Sequence, residues 1–164
     1  MALLPLLLPL LLLLLQQPAP VRALDNGAGR LPILGWNSWG WVQAEINHSL
    51  ASAVLRQYVA AGLPSLGYRY FNLDNGWQLN YHKGNSGTLQ PGASSRDPKT
   101  QRLLADPAKF PAGMKAWCDE VHGAFEGAKC GIYTMTCLSE GHWDTDARQF
   151  AEWVRKRVLC ATLH

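Results

Sequence analysis

The chain has 164 residues, 48% of them hydrophobic and 16% charged, and its fifteen Lys and Arg against twelve Asp and Glu leave a net charge of +3. With so slight a balance and the basic residues scattered among acids, composition predicts neither a nucleic-acid nor a membrane-surface partner. Residues 1–15, MALLPLLLPLLLLLL, are almost all leucine, and PVRA follows with Val21 and Ala23 at the small positions a signal peptidase prefers. The apolar run falls short of the roughly 20 residues that cross a bilayer, and Pro5 and Pro9 interrupt it. Residues 1–23 therefore read as a cleaved secretory signal, and the chain from Leu24 onward suits one compact domain without stable membrane association. The expected location is the secretory pathway, the extracellular space, or a vacuolar or lysosomal lumen. There the four cysteines, Cys118, Cys130, Cys137 and Cys160, can pair in three ways, and sequence does not choose among them. No C-x-x-C and no histidine pair at ligand spacing occurs, so a metal site is not expected. Asn47-His48-Ser49 is a glycosylation sequon.

The elements follow in order. LPILGWNSW, from Leu31 to Trp39, suits a short buried strand entering a loop. From Ser49 to Ala61, Leu50, Val54, Leu55, Tyr58 and Val59 fall at helical spacing, and Gly62 can end that helix. GYRYFNLD is a second strand. Residues 75–110 are rich in Gly, Pro and Ser, which predicts a long loop, functional or disordered. Pro111 opens a second helix with Met114, Trp117, Cys118, Val121 and Phe125 on one face, and Gly127 closes it. KCGIYTM is a third strand, and Asp146 to Arg157 a third helix with Ala147, Phe150, Ala151 and Val154 inward.

Taken locally, Asn75-Gly76 after the run YFNLD reads as a hairpin turn. Helices alternating with apolar strands instead imply a parallel sheet, in which a crossover replaces the hairpin. That alternation predicts one rim carrying the residues from Trp36 to Trp39, then Asp74, then Tyr133. No phosphate-cradling glycine loop follows any strand. Each rim residue also has a plain structural reading: Trp39 as core packing, Tyr133 as a strand tyrosine, Asp74 as the cap of its own turn.

The segments LDNGAGRLPILGWNSW, GYRYFNLDNGW, RDPKTQRLLADPAKFPAGMKAWCDEVHG, CGIYTMTC and WDTDARQFAEW resemble the α-galactosidase and α-N-acetylgalactosaminidase family, family 27 of the glycoside hydrolases. The resemblance runs from Leu24 to Trp153. It implies an α/β fold made of about three βα units, the N-terminal and incomplete part of a (β/α)₈ TIM barrel. It implies hydrolysis of terminal α-linked galactose by a retaining double displacement, with galactose or an α-galactoside as partner and no cofactor. It also implies that Trp39 lines the sugar pocket, that Asp74 holds galactose hydroxyls and that Tyr133 sits beside the ring. These residue types suit the task, because an apolar sugar face packs on an aromatic ring and one carboxylate accepts from two hydroxyls. Asn75, the fourth substrate-binding candidate, stands where the family usually has a second acid; it accepts through its carbonyl but adds a donor and no charge, so weaker sugar binding is expected.

Three further departures follow from the resemblance. Gly76 occupies a position where many members carry a disulfide cysteine. The segment between Tyr133 and Cys137 is a few residues shorter than usual. Cys137 matches a cysteine that pairs with one just beyond the family's nucleophile, and Cys160 is its stand-in here. The nucleophile and acid/base, expected roughly 5–5.5 Å apart in a retaining enzyme, belong to later strands of the family. Glu140, Asp144, Asp146, Asp97 and Asp106 do not replace them, since Asp144 and Asp146 suit the first turn of a helix and Asp97 and Asp106 fall in the long loop. Residues 24–153 are thus expected to be a partial glycosidase domain with no catalytic residue, followed by a non-family tail over 154–164. Every valine codon begins with the two nucleotides that begin most introns, so Val154 is read as the entry into unspliced sequence. With a barrel needing about 250 residues, the fragment is expected to leave an apolar sheet face open and to be inactive alone. A non-catalytic galactose-binding or decoy chain is the competing reading.

Overall fold

The computed structural model describes residues 31–81, 94–135 and 141–155. The chain divides into two units, Met1–Pro32 and Ile33–His164, and of the first only residues 31 and 32 are described. The leader at 1–23, Cys137, Glu140, Cys160 and most of the tail lie outside the described residues.

Three strands form one parallel sheet in the order β1 (Gly35–Asn37), β2 (Tyr70–Leu73), β3 (Lys129–Ile132). The strand expected from Leu31 shortens to β1, and Trp39 opens a one-turn helix, α1 (Trp39–Val42), followed by a 3-10 turn over Gln43–Glu45. The next helix, α2 (His48–Ala60), starts where Asn47 caps it, its side-chain oxygen accepting from Leu50 N at 3.0 Å. Helix α3 (Gly113–Ala124) buries Met114, Trp117, Cys118 and Val121, the expected face. Parallel pairing on both sides of β2 excludes the hairpin reading of Asn75-Gly76. Gly76 instead adopts φ +106°, and a Cβ there would lie 2.6 Å from Ala44 Cα, so only glycine fits without a backbone shift.

The last helix, α4 (Trp143–Val154), begins three residues before the sequence placed it; Phe150 and Val154 pack against the core as expected, but its most buried residues are others. Ala147 is exposed, whereas Asp146 and Gln149 are buried. Each has a partner in the long loop: Arg96 grips Asp146 through two bonds of 2.8 and 2.7 Å, and the Gln149 amide exchanges two bonds with the backbone of Leu103 at 2.9 and 2.8 Å. A pattern search for apolar residues cannot see a helix face held by a satisfied ion pair and an amide clamp. The described parts of the 75–110 segment are likewise ordered, with Trp77, Gln78, Ser95, Leu103 and Phe110 buried. Ladder bridges join Gln78 to Ala105 and Arg96 to Leu103.

One face of the sheet carries the core. Phe71 stacks on Trp36 at 4.5 Å between centroids and meets Tyr58 and Trp117 at 5.5 and 5.8 Å. A disulfide joins Cys118 on α3 to Cys130 on β3, one of the pairs the sequence allowed. The opposite face is polar, not apolar as expected: Asn37, Tyr70, Asn72 and Lys129 alternate with Gly35 and Gly131. Lys129 Nζ lies 3.2 Å from the Tyr70 hydroxyl and 5.0 Å from its ring centroid. A clean period of two is what strands show when one face packs and the other does not.

Candidate functional site

The three strands end at Asn37, Leu73 and Ile132, so Ser38, Asp74 and Tyr133 follow at one edge of the sheet. Backbone bonds align them: Ser38 N donates to Asn72 O at 3.2 Å, and Tyr133 N to Leu73 O at 2.8 Å. Ser38, fully buried, accepts from Asp74 N through its hydroxyl at 3.0 Å. The sequence-predicted rim residues Trp39, Asp74 and Tyr133 are therefore brought to neighbouring strand ends.

Asp74 is half-buried. Its Oδ1 accepts from Asn75 N at 2.8 Å and its Oδ2 from Asn37 Nδ2 at 3.1 Å. One lone pair on each oxygen remains for an external donor. Trp39 is 38% exposed and Tyr133 48%, so both rings have a face for a ligand. Tyr133 is anchored through its backbone carbonyl, which accepts from Trp77 Nε1 at 2.9 Å.

Asn75 differs from these three. It is buried, and its side-chain carbonyl accepts from Gln78 Nε2 at 2.8 Å, while Gln78 Oε1 accepts from Gly76 N at 2.9 Å. Beneath the turn, Lys109 Nζ donates to the carbonyls of Ala44 and Gly76, each at 2.7 Å. Burial pushes that ammonium below the usual lysine range, against the pull of Asp106 and Glu45. The turn after β2 is thus held from both sides, by an amide clamp and by a half-buried cation.

Sequence reading placed Asn37 and Ser38 on the rim within Trp36 to Trp39 without giving either a task, and passed over Gln78 and Lys109 as parts of this site. The Asn-Ser pair directly after an apolar run was the available signal, since both residues bond backbone groups two or more positions away. Gln78 bonds Gly76 N and Asn75 Oδ1 only two and three positions away, a local pattern the reading did not use, whereas Lys109 gave no signal because its partners, the carbonyls of Ala44 and Gly76, are 65 and 33 positions away.

Other acids have local tasks. Asp97 accepts from Lys99 N and Thr100 N, Asp106 from Ala108 N, and Asp144 is exposed in the first turn of α4. Among the described residues, Asp74 is the carboxylate that directly follows a strand, and no group of three or more His, Cys, Asp or Glu could hold a metal. No helix among them is long and apolar enough to cross a membrane. Asn47, the sequon asparagine, lies beside a cleft of about 710 Å³ shared with His48, Arg56, Lys109 and Glu120.

A parallel βα arrangement with its polar residues at the strand ends is that of the opening units of a (β/α)₈-barrel enzyme. A family model described as alpha galactosidase A matches residues 32–159. The chain belongs to the α-galactosidase family, family 27 of the glycoside hydrolases. It is 37% identical over 136 residues to a protein of Aspergillus clavatus named probable alpha-galactosidase B, covering 78% of this chain and 27% of that one. Among solved structures, α-galactosidase I from Mortierella vinacea superposes with a TM-score of 0.64 at 33% identity, covering 80% of this chain and 31% of that one. The α-galactosidase of Saccharomyces cerevisiae solved with raffinose gives 0.62 at 29% identity, covering 80% and 26%. The chain therefore spans about 27% of the length of the first relatives it matches.

Proposed function

We propose that this rim is the galactose-holding side of an α-galactosidase pocket. Asp74 accepts two sugar hydroxyls, Trp39 packs on the apolar sugar face, Tyr133 flanks the ring, and Asn75 contributes its Nδ2 donor from the floor. The observation that carries the reading is the carboxylate of Asp74, half-exposed at a strand end with both oxygens steadied and a lone pair left on each. Hydrolysis of terminal α-linked galactose by retaining double displacement is the activity proposed for a protein in which the remaining strands accompany these. The 164 residues by themselves are proposed to have no turnover, because double displacement needs two carboxyl groups roughly 5–5.5 Å apart, and the family resemblance places both on later strands. The test is hydrolysis of a chromogenic α-galactoside by the purified chain, with Asp74→Ala as control. Turnover above that control overturns the inactive reading.

A second reading, a non-catalytic galactose-binding chain, is favoured by the same lone carboxylate on an ordered rim. Retention on a galactose column together with cooperative unfolding supports it, and passage straight through removes it.

The secretory route is proposed on the leader-like residues 1–23, the Cys118–Cys130 disulfide and the sequon. Expression with the native leader, followed by N-terminal sequencing, is expected to find Leu24 first; an intact leader would contradict it.

A further inference from the structure

Asn37, the last residue of β1, commits both ends of its carboxamide to the rim. Its Oδ1 accepts from Trp39 N at 2.8 Å, and its Nδ2 donates to Asp74 Oδ2 at 3.1 Å. The first bond closes a side-chain turn that sets how α1, and with it the indole of Trp39, leaves the sheet. The second comes from another strand. Among the described residues, Asp74 Oδ1 is held by the next residue of its own chain, Asn75 N, and a carboxylate pinned at one oxygen still swings about that point. The bond from β1 removes this freedom.

We propose that Asn37 is a positioning residue for sugar recognition: one planar amide fixes the carboxylate of Asp74 relative to the indole of Trp39, so that acceptor and apolar platform meet the same sugar ring. The inference rests on the galactose reading above. Its physical content is selectivity. Galactose and glucose differ in the direction of one hydroxyl, and an acceptor distinguishes them only if its own direction is fixed. The sheet does not need Asn37 for its register. Ser38 holds the same edge through its N–H to Asn72 O and its hydroxyl to Asp74 N, and Asn37 itself is exposed. Losing the amide should therefore disturb the aim of a side chain and leave the fold in place.

The experiment is calorimetric titration of the 164-residue chain with galactose and with glucose, for the unsubstituted chain, Asn37→Ala, Asn37→Asp and Asp74→Ala, with melting temperatures alongside. Asn37→Ala is expected to bind galactose about tenfold more weakly, to lose preference over glucose, and to melt as the unsubstituted chain does. Asn37→Asp keeps the acceptor for Trp39 N but sets a second carboxylate against Asp74, so near neutral pH it should bind as poorly as Asn37→Ala. As pH falls into the ordinary carboxylate range, the introduced carboxyl becomes a donor like the amide it replaced. Binding should then recover relative to the unsubstituted chain at the same pH, while Asn37→Ala shows no recovery.

Unchanged galactose affinity and selectivity in both Asn37 variants would overturn the proposal, and so would an Asn37→Asp chain that stays weak in acid. If the unsubstituted chain takes up no galactose, or Asp74→Ala binds as well as it does, the sugar reading falls instead. The positioning is then decided by the Asn37 side-chain amide signals in NMR spectra, assigned by their loss in Asn37→Ala. A shift of those signals in Asp74→Ala supports the contact, and no shift ends it.

Discussion

The two faces of the sheet divide close packing from directional bonding. Within β2, Phe71 and Leu73 are fully buried under α2 and α3, while Tyr70 and Asn72, their immediate neighbours, look to the other side and are only half-buried. The packed side is built from stacked rings and a disulfide, contacts that are close and insensitive to direction. The open side is built from amides, a phenol, an ammonium and a carboxylate, whose bonds depend on angle. Since side chains alternate along a strand, each strand serves both purposes, and the residue that follows it inherits a position set by the packed side.

The largest test of this division compares neighbours on one strand. Phe71→Ala should lower unfolding stability by about 3–5 kcal/mol, read from the urea midpoint, whereas Asn72→Ala should stay within about 0.5 kcal/mol. Equal losses would mean that the open face contributes to stability as well. Arg96→Ala, which removes both guanidinium bonds from the buried carboxylate of Asp146, should cost about 3–5 kcal/mol and loosen α4 from the long loop without touching the rim. Gly76→Ala comes next, with an expected cost of about 1–3 kcal/mol, because the added Cβ meets the Ala44 backbone at positive φ. It should also displace Asp74, so a stability loss with unchanged galactose binding would uncouple the turn from the site.

Smaller effects separate local caps from the sheet. Asn47→Ala should cost about 1 kcal/mol through the lost helix cap. Ser49→Ala should cost less, since it removes the sequon and keeps the cap, and in a secreting host it should abolish any endoglycosidase-sensitive mobility shift that the unsubstituted chain shows. The smallest effect is on pH. Bonds from Thr100 hold Asp97 below the usual carboxylate range, and the bond from Arg102 does the same for Glu152. A lowered folded value means that the unfolded chain takes up protons first, so this stability is present above the ordinary carboxylate range and is lost as pH falls through it. The acid-side drop in the urea midpoint should become shallower in Asp97→Asn.

Much of the fold was legible in the residues alone. The order of strands and helices, the parallel pairing and the apolar face of α3 follow from hydrophobic periodicity and from the crossover that a parallel strand requires. The rim was legible too, because Trp39, Asp74 and Tyr133 come directly after or just beyond apolar runs, and the strands of a parallel sheet all end on one side. Ala147 shows where that method stops. The pattern turned α4 by its apolar residues, of which Phe150 and Val154 do pack on the core, but it could not see that Asp146 and Gln149 also face inward, since their partners Arg96 and Leu103 lie about fifty positions away in sequence. The long loop is irregular where it is described, as its glycines and prolines indicate, but composition gave no sign that Trp77, Leu103 and Phe110 enter the core.

What the sequence by itself determined is the set of groups at the strand ends and their common direction, both consequences of short-range pattern. Tertiary structure alone decided which of those groups remain available. The Oδ2 of Asp74 is met by the Asn37 amide, 37 positions away on the neighbouring strand, and the Asp74 N–H by the Ser38 hydroxyl, 36 positions away, which leaves a lone pair on each carboxylate oxygen. Hydrogen bonds between distant residues are satisfied only once the chain has folded, and no local rule says which partner each polar group will find.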